Sequence, residues 1–332
     1  MATVGTVGTV GTQRGTRRRR GTGTGLLLVA VLTAGLAAGC TTSDGPPDDG
    51  RGTTRESPAQ DAPPALAVKI DNAPAARPQT GLDDADVVYT EQVEGGSSRL
   101  IAVYATALPE SVGPVRSARE ADLELLRQFD RPLLAFSGAQ SKLKPLIEEA
   151  PLEAVTPESE PDAYIRDSDR SAPHNLFLRP ERVMDDPPGE AALTTGFRFG
   201  RPPADGAPQN ELTVRYPAAR FTFTWSGAQD RWLVSMDGTP AVTSGGERLA
   251  PATVVVQHVT VRPSGFRDFL GNTTPFTETV GSGEATVLRD GRAWEANWKR
   301  PSAEDGTSFT TDSGEPLNFA RGQVWVVYAE AS

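Results

Sequence analysis

Between residues 65 and 136 the apolar positions fall into short β-branched runs separated by Pro, Gly and polar clusters. ALAVKI (65–70), DVVYTE (86–91), LIAVYA (100–105) and LLAF (133–136) have the length and composition of strands. A different period separates the last two. Ser117 followed by Glu120 forms a capping-box signature, and Leu123, Leu126 and Phe129 then recur at helical spacing. A shorter helix is predicted from Ser141 to Ile147, with Pro145 near its start. A third opens at Pro180-Glu181 and stops before Pro187-Pro188.

From about Leu193 the helical period disappears. Phe221, Phe223 and Trp225 alternate with Thr, and Trp232, Val234 and Met236 alternate beyond a Gly-containing turn, which predicts a hairpin. Further strand-like runs lie at 253–261, 285–288, 293–298 and 323–328. The alternation places the five Trp residues in a core rather than on a sugar-stacking face. Pro202, Pro203 and Gly206 mark 200–208 as a linker. The expected fold class is therefore α+β: an N-terminal mixed α/β domain (65–199) followed by a mainly antiparallel β domain (209–332).

The N-terminus has another character. Arg14 and Arg17 to Arg20 precede the apolar stretch 26–38, which ends in Ala37-Ala38-Gly39-Cys40. Residues 1–39 read as a secretory signal peptide, since a membrane-spanning helix needs about 20 apolar residues. Ala-Gly-Cys resembles a bacterial lipobox, with Ala37 at the position where Leu is usual. It makes Cys40 the expected site of diacylglycerol attachment and the first mature residue. Residues 41–64 contain no Val, Ile, Leu, Met or aromatic residue. They read as a disordered tether of roughly 25–30 Å, holding the folded part at the extracytoplasmic face of the cell membrane.

Composition narrows the chemistry. One Cys excludes a disulfide framework and thiolate metal clusters, and His174 and His258 are the two histidines. A net charge of -10 argues against nucleic acid as a partner. No nucleophile elbow, phosphate-binding loop, zinc-protease helix or EF-hand loop occurs, and no cofactor or metal is expected. Asp83, Asp84 and Asp86 read as a solvated acidic loop, and His258, within an apolar run, as a sheet residue.

Four places could carry chemistry. Gly113 to Arg119 puts Arg116 and Arg119 at the predicted start of the first helix, where backbone N–H groups and two guanidiniums favour a phosphate or carboxylate. The same arginines could instead pair with acids such as Glu91 or Glu94. Arg166 in DAYIRD, with His174 and Asn175 in APHNLF, supplies a cation, a general base and a capping amide. Asp71 and Asn72 end the first strand, and Glu94 precedes two glycines. Glu94 or Asp71 could pair with His174 as acid and base.

Several longer motifs occur together in order: KIDNAPAARPQTGL (69–82), VEGGSSRLIAVY (93–104), VGPVRSARE (112–120), YIRD (164–167), APHNLF (172–177), VGSGEATVLRDGR (280–292), NWKR (297–300) and ARGQVWVVY (320–328). On these the chain resembles the YerB-like lipoproteins, a family described as a domain of unknown function with N- and C-terminal halves. Ser235 or Met236 stands where that pattern has Arg. The resemblance implies a two-part α+β fold and a surface lipoprotein, and implies no activity. Three readings follow: an accessory lipoprotein binding an anionic cell-envelope component or envelope protein, a hydrolase or transferase acting on a cell-wall polymer, or a structural domain pair.

Overall fold

Strands form where the apolar runs are, and the computed structural model describes them over residues 63–268 and 270–331. The expected signal peptide, Cys40 and nearly all of the tether lie outside the described residues. In the N-terminal half, β1 is Leu66–Asp71, β2 Val87–Gln92, β3 Ser98–Tyr104, β4 Leu133–Ala135 and β5 Glu153–Val155. Helix α1 (Glu120–Leu126) lies between β3 and β4, and α2 (Lys144–Glu149) between β4 and β5. A ribbon of β6 (Tyr164–Arg166) and β7 (Leu176–Leu178) follows.

The C-terminal half begins with β8 (Ala207–Pro208), β9 (Glu211–Tyr216), β10 (Ala219–Ser226), β11 (Arg231–Met236) and β12 (Thr239–Pro240). Then come β13 (Thr253–Val259), β14 (Val261–Arg267) and β15 (Thr273–Thr277). The chain closes with β16 (Gly281–Arg289), β17 (Arg292–Arg300), β18 (Ser308–Thr310) and β19 (Val324–Glu330). The predicted hairpin is β10–β11, with Phe223 opposite Val234 and Trp225 opposite Trp232.

Strands from both halves build one sheet. Among the described residues its order is β18-β17-β16-β13-β19-β2-β3-β1-β4-β5, with β8 added on β17. The last strand lies in the middle: β19 runs parallel to β13 on one side and to β2 on the other. A strand so placed is buried on both faces and reads as a continuous apolar run, which VWVVY is. On one face Phe221, Phe223, Trp232 and Val234 of the four-stranded sheet β12-β11-β10-β9 pack against Val88, Leu100 and Trp325. On the other, Leu125, Leu126 and Ile147 of the helices and the cluster Phe197, Phe309 and Phe319 cover Ile101, Val103 and Val326.

The fold is thus mainly β, where α+β was expected. The two helices are seven and six residues long, and the third predicted helix is a single 3-10 turn, Pro180–Arg182, after which Val183 leaves helical geometry. The segment expected to link two domains is pinned to the shared sheet. Ala207 and Pro208 pair with β17, and Trp294 Nε1 donates to Ala204 O at 3.2 Å. Gly206 lies against the Trp294 ring so closely that a Cβ there would fall 2.2 Å from it. The described residues all belong to one compact unit.

Helix α1 starts two residues later than the Ser117 signature predicts. Residues 115–118 are held extended instead: Arg116 N–H donates to Lys69 O at 2.8 Å, and Ala118 N–H to Gly138 O at 3.0 Å. The cap falls on Arg119, whose N–H donates to Asp122 Oδ2 at 2.7 Å.

Candidate functional site

The last residue of β1, the second of β3 and the fifth of β2 stand in one row: Asp71 opposite Arg99, and Arg99 opposite Glu91. Directly opposed residues share a face, so three charged side chains emerge together on the helix side of the sheet. The extended segment 115–118 runs alongside the end of β1 and adds Arg116, and the β6–β7 ribbon delivers His174. Glu94-Gly95-Gly96 forms a tight turn in which both glycines take positive φ, 69° and 72°, a conformation costly for other residues. That turn presents Glu94. The result is a cleft of about 430 Å³ lined by Asp71, Glu94, Arg99, Arg116, Arg119 and His174.

Asp71 is the hub. His174 Nδ1 lies 2.8 Å from its Oδ2, and Arg116 Nε lies 3.0 Å from the same oxygen. The Arg116 contact lacks hydrogen-bond alignment, and its buried Nε has no hydrogen-bond partner. Across the cleft, Arg119 clamps Glu94 bidentately, Nε to Oε1 at 2.7 Å and Nη2 to Oε2 at 2.9 Å, while Thr274 Oγ1 of β15 donates to Oε1 at 2.6 Å. Burial opposes the charge on Glu94, but these donors outweigh it and hold the carboxyl down at about 2. Glu94 is therefore ionised across the neutral range, and its partner is Arg119 rather than His174. Arg99 donates to Ser117 O at 3.1 Å and makes no ion pair among the described residues. Burial, then the neighbouring Arg119, pulls its guanidinium down to about 10, still charged at neutral pH.

Beneath the cleft sits a second charged group. Lys69, fully buried, donates to Asp122 Oδ1 at 2.6 Å and also to Glu91 Oε1. Asp122 therefore serves two roles, accepting from Lys69 on one oxygen and from the Arg119 backbone on the other. Desolvation pushes the Glu91 carboxyl up, with Lys69 opposing the shift.

The remaining expected site residues lie elsewhere or have other work. Arg166 and Asn175 pair with each other on the exposed ribbon, Nη1 to Oδ1 at 2.8 Å. Asn72 is buried, with Nδ2 donating to Ser98 Oγ and Oδ1 accepting from Arg77 and Gln79, so its amide is engaged inside the fold. At the helix N-terminus predicted to hold an anion, the Asp122 carboxylate accepts from the first free N–H, that of Arg119. Arg99, Thr274 and Asp122 were not among the expected site residues, and Glu91, expected as an acid partner of Arg116 or Arg119, pairs with Lys69. Arg99 stands within VEGGSSRLIAVY and carried a signal; Thr274, 180 residues from Glu94, carried none.

The Glu94 clamp predicts an acid limb of stability. A carboxyl lowered from 4.5 to about 2 contributes stability that is complete above pH 4.5 and lost as pH falls through 2. After allowance for solvent screening this is about 2 kcal/mol. Urea denaturation of wild type and Glu94→Gln between pH 6 and 2 checks it: the two curves converge at the acid end, and parallel curves would refute the clamp.

Comparison with known proteins places this arrangement in context. The N-terminal-domain model of a family described as "Protein of unknown function (DUF3048)" matches residues 51–192, and its C-terminal-domain model matches 212–326. The chain is 25% identical over 282 residues to a protein of Bacillus subtilis (strain 168) named "Putative lipoprotein YerB", covering 79% of this chain and 80% of the relative. The crystal structure of the Bacillus subtilis YerB protein superposes with a TM-score of 0.66 at 21% identity, over 80% of this chain and 90% of that one, a shared fold. With both halves matched in order, the chain belongs to the DUF3048 family of proteins of unknown function.

Proposed function

We propose that this protein is a lipid-anchored extracytoplasmic module that binds an anionic group of the cell envelope in the Asp71–Arg119 cleft. The observation that carries the reading is Arg116. Its guanidinium reaches the cleft and touches Asp71, yet donates no hydrogen bond within the described residues, beside a second arginine, Arg99, that makes no ion pair among them. A carboxylate or phosphate satisfies both, and charged hydrogen bonds of this kind are worth about 1.5–3 kcal/mol each. The anchor rests on the lipobox at Cys40 and on the name of the Bacillus subtilis relative. No helix among the described residues is long and apolar enough to cross a membrane.

Co-sedimentation of the purified protein with isolated bacterial cell-wall material tests the reading. Arg116→Gln is expected to lower the bound fraction at least about tenfold with an unchanged melting curve. Equal retention of the variant would refute it.

The Asp71–His174 contact favours one second reading, acid/base catalysis on a wall polymer, because a carboxylate at Nδ1 orients an imidazole for proton transfer at Nε2. It requires soluble fragments to be released by wild type and not by His174→Asn. No release by wild type removes it.

A further inference from the structure

A second hollow adjoins the cleft. It measures about 280 Å³, is lined by Phe136, Ala139, Ile147, Ala154 and Pro157, and has Lys144 and Glu158 at its rim, 3.8 Å apart. Phe136 and Ile147 are buried members of the helix-side core, while Ala154, on the edge strand β5, is exposed. Ala139 lines both hollows. Segments that line the two hollows are joined by a short ladder: Ser137 N–H donates to Arg116 O at 3.0 Å, and Ala118 N–H to Gly138 O at 3.0 Å. Adjacent strands lie about 4.8 Å apart, so Arg116 at the cleft and Ser137 at the hollow are neighbours across one strand spacing.

We infer that the two hollows form a single bipartite site for the free C-terminal end of a peptide chain whose last residue has an aliphatic side chain. This rests on the anion-binding reading above and names its ligand. The α-carboxylate and the side chain of a terminal residue leave the same Cα, which matches an anion site and an apolar site whose linings are neighbours across one strand spacing. Arg116 and Arg99 take the carboxylate, and Phe136, Ile147 and Pro157 surround the side chain. A lipid acyl chain fits poorly, because the Lys144–Glu158 pair stands at the rim of the hollow where a long apolar tail would have to pass.

Fluorescence anisotropy on the purified protein tests the assignment with labelled Gly-Gly-Gly-Leu as the free acid, the same peptide as the C-terminal amide, and Gly-Gly-Gly-Glu as the free acid. Octanoate serves as a competitor. The Leu-ended acid is expected to bind at least about tenfold more tightly than the amide and than the Glu-ended acid, and octanoate to compete weakly. These comparisons use the wild-type protein, so no folding defect enters. Ala154→Phe, which fills the hollow from an exposed position, should weaken the Leu-ended acid about tenfold, and Arg116→Gln should abolish binding of both acids.

Equal affinity for Leu- and Glu-ended acids, or no effect of Ala154→Phe, overturns the bipartite site and leaves the anion reading standing if Arg116→Gln still abolishes binding. Octanoate competing as strongly as the peptide overturns the peptide assignment. Absence of binding by every acid overturns the peptide assignment and leaves the anion reading to the co-sedimentation assay, whereas peptide binding indifferent to Arg116→Gln overturns both.

Discussion

Replacing Lys69 with Met is expected to destabilise the protein by about 3–5 kcal/mol, the penalty for leaving buried charge without its partner. Lys69 is completely buried and, alone among the described residues, bridges Glu91 and Asp122, which are themselves at most 4% exposed. Met fills much of the volume and supplies no charge. Two carboxylates then face each other in a medium that solvates neither. Asp122 would lose one of its two anchors, and with it the cap that positions Arg119 over Glu94.

Glu91→Gln should behave differently. It reduces the triad to one cation and one anion, and burial already disfavours the Glu91 charge, so its cost should stay within about 1 kcal/mol. It should also change the pH profile. A carboxyl raised in the folded state binds protons more tightly there than in the unfolded chain, so stability falls as pH rises from about 4.5 through the raised value. Wild type should lose stability across that window and Glu91→Gln should not. Urea midpoints for the three proteins at pH 5 and pH 8 measure both effects. A loss below about 1 kcal/mol for Lys69→Met would mean that the triad is not the buried charge cluster described here.

Trp325→Ala should cost a similar amount, about 3–5 kcal/mol, through the cavity it leaves. The ring is fully buried at the middle of the main sheet, with Phe221 and Phe223 packed edge-on at 6.4 and 6.1 Å. Its Nε1 donates to Gln323 Oε1 at 2.8 Å, and the Gln323 amide in turn donates to Leu82 O and Ala85 O of the N-terminal half. The same residue thus joins the small sheet, the large sheet and the loop before β2. Because β19 pairs with β2 on one side and β13 on the other, the destabilisation should reach both halves at once. Differential scanning calorimetry should give one transition in wild type and one, lower, in Trp325→Ala. Two separable transitions, with only one moved, would contradict a shared sheet.

Local chemistry made much of this legible in advance. The runs at 65–70, 86–91 and 100–105 became β1, β2 and β3 within two residues, because β-branched apolar runs bounded by turn residues have few other stable conformations. The alternation of Phe221, Phe223 and Trp225 against Trp232, Val234 and Met236 set the β10–β11 hairpin and its register, since a one-residue slip would turn every one of those side chains to the wrong face. Five residues of the polar motifs, Asp71, Glu94, Arg116, Arg119 and His174, line one cleft.

What pairs with what inside that cleft could not be read from spacing. Asp71 and His174 meet across 103 residues, and Glu94 and Thr274 across 180, because strand order brings them together and strand order depends on contacts between segments far apart in the chain. The start of α1 shows the same competition at short range. The Ser117 signature pointed to a helix close by, but hydrogen bonds from 116 and 118 to Lys69 and Gly138 hold that stretch extended, and the cap falls on Arg119. The main sheet is the largest case. Nothing local in VWVVY indicates that it lies between β13 and β2, and only the burial of both its faces in the assembled sheet makes two sequence halves into one folded body.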